Sequence, residues 1–135
     1  RRTPRLLRAV NSQPVEAPIL PPVPGKEEHW TAIHEAMKSV VHSAKGSAKK
    51  LAKGIQYEMA GKTGTAQVIG IAQNAVYKEE DVAERHRNHG LFIAFAPYEA
   101  PTIAVAIIVE NGGGSSVASP IARKVIDTWL LGEAG

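Results

Sequence analysis

The stretch A-G-K-T-G-T-A-Q-V, residues 60 to 68, alternates glycine with lysine and hydroxyl residues inside what otherwise reads as a β-strand. Gly61 and Gly64 both weaken a strand, since each costs backbone entropy and presents nothing to pack. A strand that keeps both must gain something else from them. Tyr57 and Met59 alternate with polar neighbours before the stretch, and Val68 and Ile69 close it, so residues 56–69 are predicted to form one strand. Ideal alternation puts Lys62 and Gly64 on one side and Thr63 and Thr65 on the other, but a ligand lying along a free edge can touch both sets. In that arrangement Gly64 leaves room for the ligand. Lys62 supplies a fixed positive charge for a carboxylate, Thr63 and Thr65 supply hydroxyl donors, and the backbone N–H of Thr65 is aimed at a developing oxyanion.

Downstream, residues 72–90 are polar and charged with no sustained period, and are expected to form a long excursion of the kind that is more often functional than incidental. L-F-I-A-F-A-P (91–97) and T-I-A-V-A-I-I-V-E (102–110) then read as two strands of a hairpin, bounded at the link by Pro97 and Pro101. After N-G-G-G-S-S (111–116), Val117, Ile121, Val125 and Trp129 fall at helical spacing, with Gly132 as a stop. Ser119 and Pro120 suit an N-cap and first helical position, with a start up to one turn earlier also open. The helix is expected to cover one face of the sheet, and Trp129, like Trp30, to pack in a core. Together these elements predict an α+β fold, an antiparallel sheet covered by helices.

Upstream, Pro14, Pro18, Pro21, Pro22 and Pro24 with Gly25 make residues 1–25 an extended, proline-rich segment. From Lys26 the pattern changes. Trp30, Ile33, Met37, Val40 and Val41 share a stripe, and Glu27 and Glu28 suit a helix N-terminus, which predicts a helix over 27–43. Gly46 interrupts it, residues 47–53 can add a turn or two, and Gly54 is a stop. The 135 residues are sized for one domain, with a start at Arg1 that looks like part of something longer. No cysteine is present, which excludes a disulfide frame and a thiolate metal site. The longest apolar run is cut by Pro97, Glu99 and Pro101, short of a membrane span.

K-T-G alone is three common residues. K-T-G-T-A-Q-V followed by A-E-R-x-R-x-H at Ala83 to His89, F-I-A-F-A-P, I-A-V-A-I-I-V-E-N-G-G-G and a final helix is more specific. This series resembles the end of the transpeptidase domain of class B penicillin-binding proteins, most closely the elongation and rod-shape branch called penicillin-binding protein 2. The likeness is strong over 57–132 and weak over 26–56, which makes 26–135 the carboxy-terminal part of a transpeptidase domain. It implies the serine β-lactamase and penicillin-binding transpeptidase fold. The implied activity is that of a serine-type D,D-transpeptidase that cross-links peptidoglycan stem peptides through an acyl-serine and is inhibited by β-lactams, with no cofactor. In that family S-x-x-K, S-x-N and K-[ST]-G converge. Only the third is present in its place, so Lys62 and the Thr65 N–H are the catalytic expectations and Lys62, Thr63, Gly64 and Thr65 the substrate-binding ones. S-x-N is absent, and the single S-x-x-K, at Ser47 to Lys50, lies too close to K-T-G and in a lysine-rich segment. No nucleophile is therefore assigned to this chain, which alone is expected to be inactive. The likeness also implies the remainder of the transpeptidase domain as a partner, together with a polymerising glycosyltransferase of the elongation machinery. It implies too an anchor upstream of this chain that holds the enzyme on the periplasmic side of the inner membrane.

The last strand, Ile103 to Val109, would pair in the family sheet with a strand that this sequence lacks, leaving an open apolar edge. Other readings remain. A septal division transpeptidase and a serine β-lactamase share the K-T-G logic. The net charge of +3 is concentrated in Lys38, Lys45, Lys49, Lys50 and Lys53, so an anion-binding or nucleic-acid-binding module using the face 38–53 is the non-enzymatic alternative. No interleaved aromatics support nucleic acid as a partner. His86 and His89 read as a hydrogen-bonded or solvated loop pair, and no metal site is expected. Asn111 to Gly114 read as a turn rather than an anion cradle.

Overall fold

The computed structural model describes residues 9–16, 21, 23–70 and 81–132. The chain divides into two compact units, residues 1–30 and 31–135. In the first, two short antiparallel strands, β1 (Ala9–Val10) and β2 (Gln13–Pro14), are joined by Asn11 and Ser12, both with positive φ. That hairpin is not apparent from the proline content. Helix α1 (Glu27–His42) begins in this unit and continues through the second. It matches the predicted 27–43, with both glutamates in its first turn, where the helix dipole favours them.

In the second unit, α1 is followed by a short 3-10 turn at Lys49–Ala52 and then by β3 (Ala60–Ala66), β4 (His89–Ala96), β5 (Ile103–Val109) and α2 (Ser115–Leu131). Among the described residues the sheet runs β3-β4-β5, antiparallel throughout. Its register aligns Gly61, Ala94 and Val105, then Thr63, Phe92 and Ile107, on one face. Lys62, Ile93 and Ala106, then Gly64, Leu91 and Ile108, share the other. Helix α2 lies on the first face, where Phe92, Ala94 and Ala96 pack with Ala118, Ala122 and Ile126 in a core that also holds Val41, Ala48, Leu51 and Met59. On the second face Ile93 is 49 % exposed and Ile108 is 65 % exposed. Among the described residues β5 pairs only with β4, so the sheet has both an open apolar edge and an open apolar face.

The structure differs from expectation in several places. Strand β3 covers Ala60–Ala66 rather than 56–69. Its partner strand ends opposite Ala66, at His89, and the residues before Ala60 serve the helices instead. Tyr57 bonds to α2, and the Met59 N–H donates to His42 Nε2 of α1 at 3.2 Å. The predicted excursion 72–90 lies outside the described residues over 72–80. Its later part contains a 3-10 turn at Glu84–His86, and its last two residues already belong to β4. Helix α2 starts at Ser115, so Pro120 is its sixth residue on the exposed side and Ser119 is buried rather than a cap. The stripe Val117, Ile121, Val125 and Trp129 is exposed, with Trp129 at 63 % and its Nε1–H donating to Thr102 Oγ1. Trp129 is therefore not a core residue. The neighbouring row of small residues, Ala118 and Ala122 with Ile126, takes the sheet because it lets the helix axis approach closely. In α1 only Val41 of the predicted stripe is fully buried, and Ile33 is exposed. His34 and Lys38 reach the sheet end instead, through an edge contact with Phe95 and an ion pair with Glu58 at 2.7 Å. The bond to Glu58 raises the Lys38 ammonium above its ordinary value.

Candidate active site

Strand β3 is an edge strand, so in the antiparallel ladder half of its N–H and C=O groups point away from β4. Gly61 and Gly64 serve different purposes on it. A Cβ at Gly61 would lie 2.6 Å from the Phe92 ring and 2.9 Å from the Ile93 carbonyl oxygen, so this glycine makes room for the core's largest buried side chain. A Cβ at Gly64 would meet only Leu91, at 3.2 Å from its Cβ, and otherwise faces open space. The sheet therefore requires the first glycine far more than the second.

Lys62 is exposed on the open face, and its Nζ donates to the Thr63 carbonyl oxygen at 2.8 Å. Thr63 and Thr65 project on the opposite face, as strict alternation demands. The structure thus places all four expected residues on one free margin but splits the ammonium from the hydroxyls, which come together only for something lying along the edge itself. Thr63 is half-buried, with its Oγ1 2.9 Å from Ser47 Oγ. Ser47, set aside above as a nucleophile, is thus a neighbour of the K-T-G strand after all. Nothing in the sequence marks that contact across 16 positions.

A second constellation also escapes the sequence. Tyr57 Oη donates to Asp127 Oδ1 at 2.6 Å, and Arg123 Nε reaches both carboxylate oxygens of Asp127 at 2.7 Å. The Arg123 guanidinium also donates to the carbonyl oxygens of Leu51 and, at 3.5 Å, Gly54, while lying 5.7 Å from the Tyr57 ring centre. Burial, reinforced by the bond to Asp127, pushes the Tyr57 phenol far above its ordinary value. This knot ties the segment leading into β3 to α2. Its only sequence signal is the i, i+4 spacing of Arg123 and Asp127.

His86 and His89 are engaged separately: His86 Nε2 accepts from Arg85 Nε, and His89 Nδ1 accepts from the Asn111 N–H at 2.9 Å. Asn111 and Gly113 carry the positive φ values of a turn. An open groove of about 550 Å³ is lined by Ile103, Lys124, Val125, Thr128 and Trp129, and a cleft of about 410 Å³ by Ala83, Glu84, Arg85 and Asn111. Lys62 lines neither.

Lys62 thus lies on a sheet margin beside an exposed apolar face, and comparison with known proteins identifies the family. The sequence profile of the penicillin binding protein transpeptidase domain matches residues 1–127, and the chain belongs to that family. Among curated relatives, it is 40 % identical over 135 residues to the peptidoglycan D,D-transpeptidase MrdA of Haemophilus influenzae, covering 95 % of this chain and 21 % of the relative. It is 46 % identical over 110 residues to MrdA of Acinetobacter baumannii, covering 79 % and 16 %. Among solved structures, Pseudomonas aeruginosa PBP2 in complex with WCK 5153 superposes with a TM-score of 0.73 at 38 % identity, over 95 % of this chain and 26 % of that one. A complex of PBP2 and MreC from Helicobacter pylori superposes with 0.61 at 31 % identity, over 78 % and 18 %. The chain spans about a fifth of the length of the MrdA relatives it matches.

Proposed function

We propose that this chain is the K-T-G-bearing part of a peptidoglycan D,D-transpeptidase that joins stem peptides through an acyl-serine and is inhibited by β-lactams. The observation that carries the reading is Lys62 exposed on an edge strand, in a chain 40 % identical to an MrdA transpeptidase across 95 % of its length. The geometry suits the chemistry. A substrate strand laid along β3 would complete the sheet's hydrogen bonding, with its carboxylate at the Lys62 ammonium and the Thr63 and Thr65 hydroxyls. A serine contributed from elsewhere in the domain passes its proton to the lysine of S-x-x-K and forms a bond to the scissile carbonyl carbon. The carbonyl π pair moves onto the carbonyl oxygen, which becomes the oxyanion, and the Thr65 N–H stabilises that charge. Loss of one such donor typically costs about 2.7–4 kcal/mol of transition-state stabilisation. Collapse of the tetrahedral intermediate breaks the C–N bond and expels the leaving amine, which takes up that proton; the amine of a second stem peptide then attacks the acyl-serine, forming the new amide, breaking the ester bond and returning a proton to the serine oxygen.

The open face around Ile93 and Ile108 and the free edge of β5 suit cover by the remainder of the transpeptidase domain, where the reading puts S-x-x-K and S-x-N. On this reading the parent protein works on the periplasmic side of the inner membrane, held by an anchor outside this chain. Its partners would be a polymerising glycosyltransferase and, as for the Helicobacter pylori protein, an MreC-type scaffold. The test is Lys62→Ala in the full-length protein: labelling by a fluorescent penicillin should vanish while the melting temperature holds. Undiminished labelling would refute the role given to Lys62.

A further inference from the structure

We propose that Ser47 is a positioning residue for the K-T-G strand, holding the Thr63 hydroxyl so that its proton is free for the ligand carboxylate. The inference rests on the reading of β3 just given. Its basis is the 2.9 Å contact between Ser47 Oγ and Thr63 Oγ1, together with the way the chain builds Ser47 into place.

Both flanks of Ser47 are anchored. A Cβ at Gly46 would lie 2.3 Å from the Val40 carbonyl oxygen and 2.6 Å from that of Ser39, so glycine alone lets the chain fold back against the end of α1. The Gly46 N–H donates to Ser43 and the Ala48 N–H to Val40, both at 3.0 Å. Ala48 is 5 % exposed and Leu51 8 %, and Arg123 of α2 then holds the Leu51 and Gly54 carbonyls. The segment is thus pinned to α1 on one side and to α2 on the other, while Ser47 itself stays exposed and turned to β3.

A solvent-exposed hydroxyl pair adds little to stability, because water replaces either partner at small cost. What the pair can do is orient a proton. Each hydroxyl has one hydrogen and two lone pairs. When Ser47 donates to Thr63 Oγ1, the Thr63 hydrogen remains unspent, and accepting a bond makes it a better donor. An arriving carboxylate selects that arrangement, since a charge-assisted bond outweighs a neutral one. With the roles reversed, the Thr63 proton is consumed inside the protein.

The experiment uses the full-length protein, with acylation by a labelled penicillin followed over a range of concentrations to separate affinity from the acylation step. Ser47→Ala should lower the second-order acylation rate about tenfold, equivalent to about 1.4 kcal/mol, with an unchanged melting temperature. Ser47→Thr, which keeps the hydroxyl, should restore the rate. Thr63→Ala should lose at least as much, and adding Ser47→Ala to it should cost nothing further, because Ser47 acts through that hydroxyl. A normal rate in Ser47→Ala overturns the proposal. So do losses that multiply in the double variant, or a melting temperature that falls in step with the rate. Lys62→Ala separates the two levels. Full labelling there overturns the parent reading and this inference together, whereas a dead Lys62→Ala beside a normal Ser47→Ala overturns this inference alone.

Discussion

Alanine at Gly61 and alanine at Gly64 are chemically the same change three residues apart, yet they should fail in opposite ways. At Gly61 the new methyl would stand 2.6 Å from the ring of fully buried Phe92 and 2.9 Å from a backbone oxygen of β4. Overpacking of this kind costs about 1–3 kcal/mol. Removing a strand glycine returns roughly 0.5–1 kcal/mol of backbone entropy. The backbone oxygen cannot swing aside as a side chain can, so the upper part of the range applies and the net loss should be about 2 kcal/mol. At Gly64 the contact is 3.2 Å to a single carbon, and the two effects nearly cancel. Urea denaturation of the transpeptidase domain should therefore show a lowered midpoint for Gly61→Ala and an unshifted one for Gly64→Ala. Penicillin acylation should show the converse emphasis, with Gly64→Ala slow despite its normal stability, because the methyl occupies the margin along which the substrate lies. Equal stability of the two variants would refute the packing argument. Fast acylation by Gly64→Ala would refute the assignment of that margin to substrate.

Three further outcomes are expected. Because Tyr57 sits far above the ordinary tyrosine value, its bond to Asp127 is fully stabilising below about pH 10 and is lost only as pH climbs through the raised value. Alkaline absorbance titration should reveal a phenol that ionises late, and Tyr57→Phe should remove that phase; an unaltered curve contradicts the burial. Arg123→Met strips the Leu51 carbonyl of its guanidinium donor and leaves the Asp127 carboxylate with the Tyr57 hydroxyl but without its cation, and should cost about 2 kcal/mol in urea denaturation, whereas a change under 0.5 kcal/mol would make the knot ornamental. The chain of residues 1–135 by itself should self-associate in sedimentation through its open face. Ile93→Lys with Ile108→Lys should reduce that association, yet lower the melting temperature of the full-length protein. A monomeric, cooperatively melting unmodified chain would argue against the missing cover.

Much of the local structure is legible without coordinates. The β4–β5 hairpin and the extent of α1 follow from period and from proline and glycine placement, and the K-T-G strand stands out by departing from good strand composition. Where reading fails, it fails for one reason. Periodicity finds apolar stripes but does not say which neighbour a stripe meets. Helix α2 carries two adjacent rows, and the larger one, Val117 to Trp129, looks like the core. The sheet takes the smaller row, because Ala118 and Ala122 let the helix approach more closely. Strand β3 is shorter than its alternation suggests for a related reason, since Tyr57 and Met59 alternate like strand residues but are claimed by the two helices.

By composition and order alone, the chain determined an antiparallel sheet under a final helix, and a K-T-G strand that sets a cation and two hydroxyls among its glycines. Those follow from interactions between near neighbours, where side-chain alternation and turn chemistry suffice. Only the tertiary structure decided that Gly61 yields to Phe92 while Gly64 faces space, that Ser47 meets Thr63, and that Arg123 fastens the approach to β3. Each joins residues 16 to 72 positions apart or on different strands, and such contacts depend on the relative placement of whole elements, which no local pattern encodes.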